Sequence, residues 1–245
     1  MTTERDRVAV VTGGSYGIGR DFVAELSRRG YRTIVCARDS QKLAQLEREI
    51  PGVETIVCDM CDLDSVARFA DAILRKTPAI DLLVSNAGRA SEYDLKADDL
   101  SGIDVTGEIN LNLAGPLKLI LGLLPALKKR PGSGIIVVTS GYALVPYPRM
   151  PIYSAAKAGL RSFTKSLRRE MKRFDVHVLE VAPPLVDTPA VQHKKGRKIS
   201  SAEVVRQALR GLDDKREEVL PGQARLLPML LRLAPRLTEN MIAGR

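Results

Sequence analysis

The sequence has no tryptophan, only 4% aromatic residues, three cysteines and two histidines. Cys58-Asp59-Met60-Cys61 has the C-x-x-C spacing of redox and metal motifs, and Cys36 stands apart from it. A redox or metal use needs partners. No second pair exists, and His177 and His193 lie far away in sequence. The cysteines therefore read as structural thiols of a reducing cytosol, and no metal site is expected. Long apolar runs are also missing. None reaches the roughly 18 residues of a membrane span, so none is expected. The longest apolar cluster, Leu226 to Leu233, is interrupted by Pro228 and Arg232. The N-terminus, Met1 to Arg7, is polar, with no apolar stretch after a basic one, so no signal peptide is expected. These absences point to a cytoplasmic protein. Internal repeats and low-complexity segments are absent too, and one domain over residues 1–245 is expected.

What is present is ordinary for a globule. Hydrophobic residues make up 44% and charged residues 27%, and the length suits a single large α/β core. The net charge of +9 is carried by scattered bases: Arg28, Arg29, Lys128 to Arg130, Arg161 to Arg173 and His193 to Lys198. Solvated faces account for most of them, so neither a nucleic acid nor a membrane is an expected partner.

Val8 to Thr12 is a short apolar run and reads as a buried strand. Thr12-Gly13-Gly14-Ser15-Tyr16-Gly17-Ile18-Gly19 follows, then an amphipathic stretch with Phe22, Val23 and Leu26 on one face. This is strand, glycine loop, helix. Glycines let a pyrophosphate approach the backbone, and a helix N-terminus offers N–H donors and a positive dipole end. Gly13, Ser15, Tyr16, Gly17, Ile18 and Gly19 are thus candidate cofactor-binding residues. The next strand, Arg32 to Ala37, ends where an acid holds the 2′-hydroxyl of NAD or a base accepts a 2′-phosphate. Arg38 favours NADP(H), although Asp39 stands beside it and an ordinary exposed arginine would look the same. A helix (41–50), a strand (53–58), a helix (64–76) and a strand (81–85) continue the alternation. Asp59 could accept the adenine amino group. Asn86-Ala87-Gly88 could turn the chain or brace the cofactor loop.

The chemistry centres on Pro151-Ile152-Tyr153-Ser154-Ala155-Ala156-Lys157. A four-residue spacing puts Tyr153 and Lys157 on one helix face, and Pro151 suits a first helical turn. An ammonium near a phenol lowers its pKa from about 10, which would let Tyr153 exchange a proton with a carbonyl oxygen. The spacing alone would equally fit a surface pair. Ser140 follows an apolar strand, 134–139, at the carboxyl end where open α/β sheets place ligands. Thr139-Ser140-Gly141 is not a hydrolase nucleophile elbow. A long helix, 106–129, carries Asn112 and Pro116. In a continuous helix Pro116 leaves the Asn112 carbonyl free to hold a water, or the proline is a plain kink.

Taken together these residues resemble the classical short-chain dehydrogenase/reductase family. The motifs are Thr12-Gly13-x-x-x-Gly17-Ile18-Gly19, Asn86-Ala87-Gly88, Asn112-Leu113-Ala114-Gly115, Ser140 and Tyr153-x-x-x-Lys157, in family order over residues 8 to about 190. The resemblance implies a Rossmann-like, doubly wound α/β domain with a mainly parallel sheet and a nicotinamide cofactor. It implies a catalytic group of Asn112, Ser140, Tyr153 and Lys157. Lys157 would lower the Tyr153 pKa and bind the nicotinamide ribose, Ser140 would orient the carbonyl, and Asn112 would anchor a relay water. Val186 and Thr188 would edge the nicotinamide. Pro184 departs from the family's Pro-Gly at 183 and 184 and stiffens that loop. A substrate lid at about 188–201 and a homodimer or homotetramer through two long helices also follow. The expected activity is NADPH-dependent reduction of a ketone or aldehyde, or its reverse. Two alternatives stay open: a non-catalytic dinucleotide-binding regulator or scaffold, and a protein that binds an anionic surface.

A strand (176–181), a helix (202–212) and a last strand (218–220) complete the alternation. His193, Lys194, Lys195, Arg197 and Lys198 crowd the lid, where they would read an anionic substrate or simply be solvated. The tail, 222–245, gathers Leu226, Leu227, Leu230, Leu231 and Leu233, which are expected to pack on the domain or on a partner subunit.

Overall fold

The structure is a computed structural model and describes residues 7–188 and 198–244. Its strands are β1 (Arg7–Thr12), β2 (Tyr31–Ala37), β3 (Val53–Val57), β4 (Leu82–Ser85), β5 (Gly134–Val138), β6 (His177–Val181), β7 (Val186–Asp187), β8 (Ile199–Ser200) and β9 (Glu218–Val219). Its helices are α1 (Gly17–Arg28), α2 (Ser40–Glu49), α3 (Leu63–Lys76), α4 (Val105–Ile109), α5 (Gly115–Lys128), α6 (Pro151–Met171), α7 (Ser201–Asp213), α8 (Leu227–Leu233) and α9 (Pro235–Ala243).

Seven strands form one parallel sheet in the order β3-β2-β1-β4-β5-β6-β9. The central strands are apolar at successive positions because both of their faces are covered. Val8, Val10, Ile34, Leu83, Ile135 and Val137 face one layer, with Phe69 of α3, Leu119 of α5 and Leu160 of α6. Their neighbours Ala9, Val11, Val35, Leu82, Ile136 and Val138 face the other, with Phe22 of α1, Leu43 of α2 and Val204 of α7. Each valine, leucine, isoleucine or phenylalanine among them contributes about 1.5–3 kcal/mol when fully buried, so two apolar clusters clamp the sheet. From β1 the chain steps outward to β2 and β3, then returns to β4 on the other side. The loops after β1 and β4 therefore part, and a crevice opens at the carboxyl ends of these strands.

The expected continuous helix over 106–129 is broken. A π turn at Asn110–Ala114 separates α4 from α5, and the Gly115 N–H donates to the Asn110 carbonyl, five residues back. Pro116 has no N–H to continue the α ladder. A Cβ at Gly115 would lie 2.4 Å from the Met60 carbonyl oxygen, so this close approach requires glycine. The stretch Val105–Lys128 has the length and apolarity of a membrane span. Its Leu119, Ile120, Leu123 and Leu127 are instead fully buried in the core.

The end of the expected lid forms a small parallel ribbon, β7 with β8, and Lys198 lies 3.9 Å from Asp187. His193, Lys194, Lys195 and Arg197 lie outside the described residues. In the tail, Ala224 and Leu227 bury themselves against Val145, with Leu231 and Ile242 alongside.

Candidate active site

The first turn of α1 is bare. No side chain caps it and it carries no acid, whereas Asp39, Asp62, Asp104 and Ser200 cap α2, α3, α4 and α7. Free N–H groups at a helix N-terminus make an anion site. The loop leading into it needs its glycines. Gly13 and Gly17 have φ of 69° and 56°. A Cβ at Gly19 would stand 2.1 Å from the Gly13 carbonyl oxygen and 2.7 Å from Asn86 Nδ2. The cradle these residues leave fits a pyrophosphate.

Asn86 braces this loop. Its Nδ2 donates to the carbonyls of Thr12 at 3.0 Å and Gly13 at 3.4 Å. The buried Thr12 hydroxyl accepts from the N–H groups of Asn86 and Ala87, both at 3.0 Å. Thus β4 is tied to the loop after β1, across the crevice. The sequence reading gave Thr12 no role of its own; the hydroxyl beside Gly13 was its signal. Ile18 packs its side chain on the core, so only its backbone faces the cradle.

At the far end, Ser15, Tyr16, Arg20, Arg38, Lys42 and Glu49 line an open cavity of about 660 Å³. Asp39 is occupied elsewhere. Its Oδ1 accepts from the backbone of Gln41 at 3.1 Å and Lys42 at 3.0 Å, as the N-cap of α2. Those N–H donors, that of Lys42 first, hold its carboxyl below the ordinary range. The acid beside Arg38 thus belongs to the helix, while Arg38 and Lys42 line the cavity. Lys42, half a turn into α2, was not singled out from sequence. Asp59 lies just past β3, its Oδ1 accepting from the Cys61 N–H at 2.9 Å.

Two of the catalytic candidates, Asn112 and Lys157, meet at Gly88. A Cβ there would lie 2.9 Å from Asn112 Oδ1 and 3.2 Å from Lys157 Nζ. The Asn112 side chain is fully engaged: Nδ2 donates to Arg89 O at 2.9 Å and Glu108 O at 3.1 Å, and Oδ1 accepts from Arg89 N at 3.2 Å. It locks the strand-end loop to the helix. Lys157 is 2% exposed and donates to the Val138 carbonyl at 2.9 Å. Burial brings its pKa from 10.5 down to about 8. Ser140, buried at the end of β5, accepts from the Tyr142 N–H at 3.1 Å.

Tyr153 departs from expectation. Burial pushes its phenol up to about 12; a hydrogen bond with Ser140 pulls the other way, and Tyr142 and Glu108 raise it further. Lys157 does not depress it. The ammonium sits 5.8 Å from the ring centroid and is directed to Val138. Desolvation outweighs charge here.

Glu108 is a second residue that sequence reading missed. It is 5% exposed and accepts from the Ser91 N–H at 3.2 Å and from the Tyr93 hydroxyl. Its signal was an acid four residues before Asn112, on the same helix face. Val186 is buried in β7, and Thr188 Cγ2 lies 3.0 Å from where a Gly17 Cβ would be, which places Thr188 at the glycine loop. The Pro183 carbonyl accepts from the Gly141 N–H at 2.9 Å, so the Pro-Pro loop is fastened to the residue after Ser140. Cys36, Cys58 and Cys61 are free thiols. Among the described residues no three metal-ligating side chains come together.

The family profile described as short chain dehydrogenase matches residues 7–198. An uncharacterized oxidoreductase, DltE, of Bacillus subtilis is 34% identical over 220 residues, 87% of either chain. A fatty acyl-CoA reductase of Acinetobacter baylyi is 28% identical over 78% of this chain and 66% of its own length. Among solved structures, a short chain dehydrogenase from Burkholderia cenocepacia in complex with NADP superposes with a TM-score of 0.84. It is 29% identical over 97% of this chain and 98% of that one. An alcohol dehydrogenase from Thermococcus sibiricus, complexed with 5-hydroxy-NADP, gives 0.78 at 27% identity over 88% and 96%.

Proposed function

The chain belongs to the short-chain dehydrogenase family and is an oxidoreductase, and we propose that it reduces a ketone or aldehyde to the alcohol with NADPH. The observation that carries this reading is the convergence of Asn112 and Lys157 on Gly88, with Tyr153 on the same helix as Lys157 and near enough to Ser140 for that hydroxyl to pull its pKa down. When bound, the nicotinamide supplies the hydride. The rest is the protein's work. The hydroxyls of Ser140 and Tyr153 are neighbours, so a carbonyl oxygen entering beside them meets two hydroxyl donors. Ser140 orients it and Tyr153 gives it a proton as charge develops.

A phenol held near 12 is protonated throughout the neutral range. It is thus in the form that gives a proton to a carbonyl oxygen. Lys157, with a pKa near 8, is still mostly an ammonium at neutral pH and stands beside the site as a proton source and a ribose ligand. The side chain of Asn112 is committed to Arg89, so its relay role falls to its backbone carbonyl, which Pro116 cannot bond.

Gly13, Ser15, Tyr16, Gly17, Ile18 and Gly19 hold the pyrophosphate on the bare first turn of α1. Asn86, Ala87 and Gly88 shape the crevice, Asp59 receives the adenine, and Val186 and Thr188 edge the nicotinamide. Arg38, joined by Lys42, takes the 2′-phosphate as a charge-assisted contact. The NADP complexes of two similar structures support that choice. One catalytic domain over 1–245, in a reducing cytoplasm, accommodates the three free thiols. Exposed small residues on α6, Ala155 and Ala158, with Leu121 of α5 53% exposed, support a homodimer or homotetramer.

A panel of aliphatic and aromatic ketones and aldehydes, assayed for NADPH consumption, tests the reading. Turnover of at least one class supports it. Tight NADPH binding with no turnover across the panel would favour the regulator or scaffold instead.

A further inference from the structure

The C-terminal helices have two unlike sides. Inward, Leu227 is buried with Ala224 and Val145, and Leu231 and Ile242 pack beside them, against the segment between Ser140 and Tyr153. Outward, Leu226 is 46% exposed, Met229 53%, Leu233 74%, Leu237 69% and Met241 57%. Leu226, Met229 and Leu233 follow one another by three and four residues at the start of and along α8, and Leu237 and Met241 by four along α9, so each helix turns an apolar stripe to solvent. Single exposed apolar residues are normal, but a run of this kind marks a contact surface.

Arg225, Arg232 and Arg236 are exposed among them. Among the described residues none of the three is held in an ion pair, and Glu239 is the one acid between 222 and 244. The surface is therefore apolar and cationic at once. A two-fold contact with a second copy would set this cationic face against itself, because an isologous interface repeats the same patch on both sides. A lipid surface of negative charge would satisfy both components: acyl boundary for the leucines and methionines, headgroup phosphates for the arginines.

We propose that the outward face of α8 and α9 docks on an anionic phospholipid membrane. This adds a partner to the enzyme and revises the expectation that no membrane is involved. The binding is peripheral. α8 and α9 are 7 and 9 residues long and lie on the surface rather than spanning. Their inner side packs on Val145, which lies between Ser140 and Tyr153 in the chain.

The test is flotation of the full-length protein with two vesicle types, pure phosphatidylcholine and phosphatidylcholine with phosphatidylglycerol, at low and high salt. The expected result is binding to the anionic vesicles only, weakened by salt. Each arginine is worth about fivefold in partitioning, so Arg225→Gln, Arg232→Gln and Arg236→Gln together should cost about a hundredfold. Leu233→Gln, Leu237→Gln and Met241→Gln together should abolish flotation, with melting temperature and oligomer mass unchanged. Absence of binding to anionic vesicles overturns the proposal. So does binding that survives in the variant carrying Leu233→Gln, Leu237→Gln and Met241→Gln. A lower oligomer mass in that variant would assign the face to a second copy and overturn it equally.

Discussion

Replacing Lys157 by methionine should make the protein more stable while destroying its activity. The two side chains are similar in length, so the site is refilled. Lys157 is buried, and its pKa lies near 8 against 10.5 for the ordinary side chain. That gap corresponds to roughly 3 kcal/mol lost on folding the ammonium. The sign is fixed by proton binding. The unfolded chain holds the proton more tightly, so the cost is fully present below pH 8. It shrinks as pH rises toward 10.5 and vanishes above. Against this stands the hydrogen bond from Nζ to the Val138 carbonyl at 2.9 Å, worth about 1.5 kcal/mol net for a charged donor. Lys157→Met should therefore be about 1.5 kcal/mol more stable near pH 7, a rise of about 4 °C in Tm for a protein of this size. By about pH 9.5 the advantage should be close to zero. Urea unfolding of both proteins at the two pH values measures it. A variant that is no more stable at pH 7, or a difference that ignores pH, would refute the claim that Lys157 is held against its own desolvation.

Other perturbations probe separate parts of the site. Arg38→Leu should raise KM for NADPH about tenfold or more and leave NADH almost unaffected, since a charge-assisted contact is lost; equal effects on both cofactors would remove Arg38 from the phosphate. Gly19→Ala places a methyl 2.1 Å from the Gly13 carbonyl oxygen, so it should cost about 1–3 kcal/mol and cofactor affinity together, read by urea titration and calorimetry; a silent substitution would show that the cradle is loose. Glu108→Gln keeps an acceptor for Tyr93 but removes a charge that raises the Tyr153 pKa. The Tyr153 phenol titration, read as the ultraviolet difference between each protein and its Tyr153→Phe counterpart, should move to lower pH, and an unmoved titration would separate Glu108 from the proton donor.

How far these features could be read from sequence depends on the range of the interaction behind each. β1 and β5 were legible because a strand covered on both faces is apolar at every position. The glycine loop and the Tyr153–Lys157 pair were legible because their meaning lies within a few neighbours. The π turn was legible only as a possible kink at Pro116; that Gly115 must be a glycine was not, because the Met60 carbonyl that a Cβ there would meet lies far away in sequence. Asp39 looked like a competitor for the ribose until its two bonds to the α2 backbone were known. The direction of the Tyr153 shift was misread because spacing reveals a nearby charge but not the desolvation around it. Glu108 escaped because its partners, Ser91 and Tyr93, lie in a connection without periodicity.

The central claim is that Tyr153 donates the proton when hydride from NADPH reaches a carbonyl carbon. The most direct measurement follows deuterium from C4-labelled NADPH into the alcohol product, in the parent protein and in Tyr153→Phe, with NADPH affinity measured in both. The account predicts deuterium on the product carbon in the parent. In the variant it predicts unchanged NADPH affinity and transfer slower by a factor of about 100 or more. Transfer at an undiminished rate in Tyr153→Phe would contradict it.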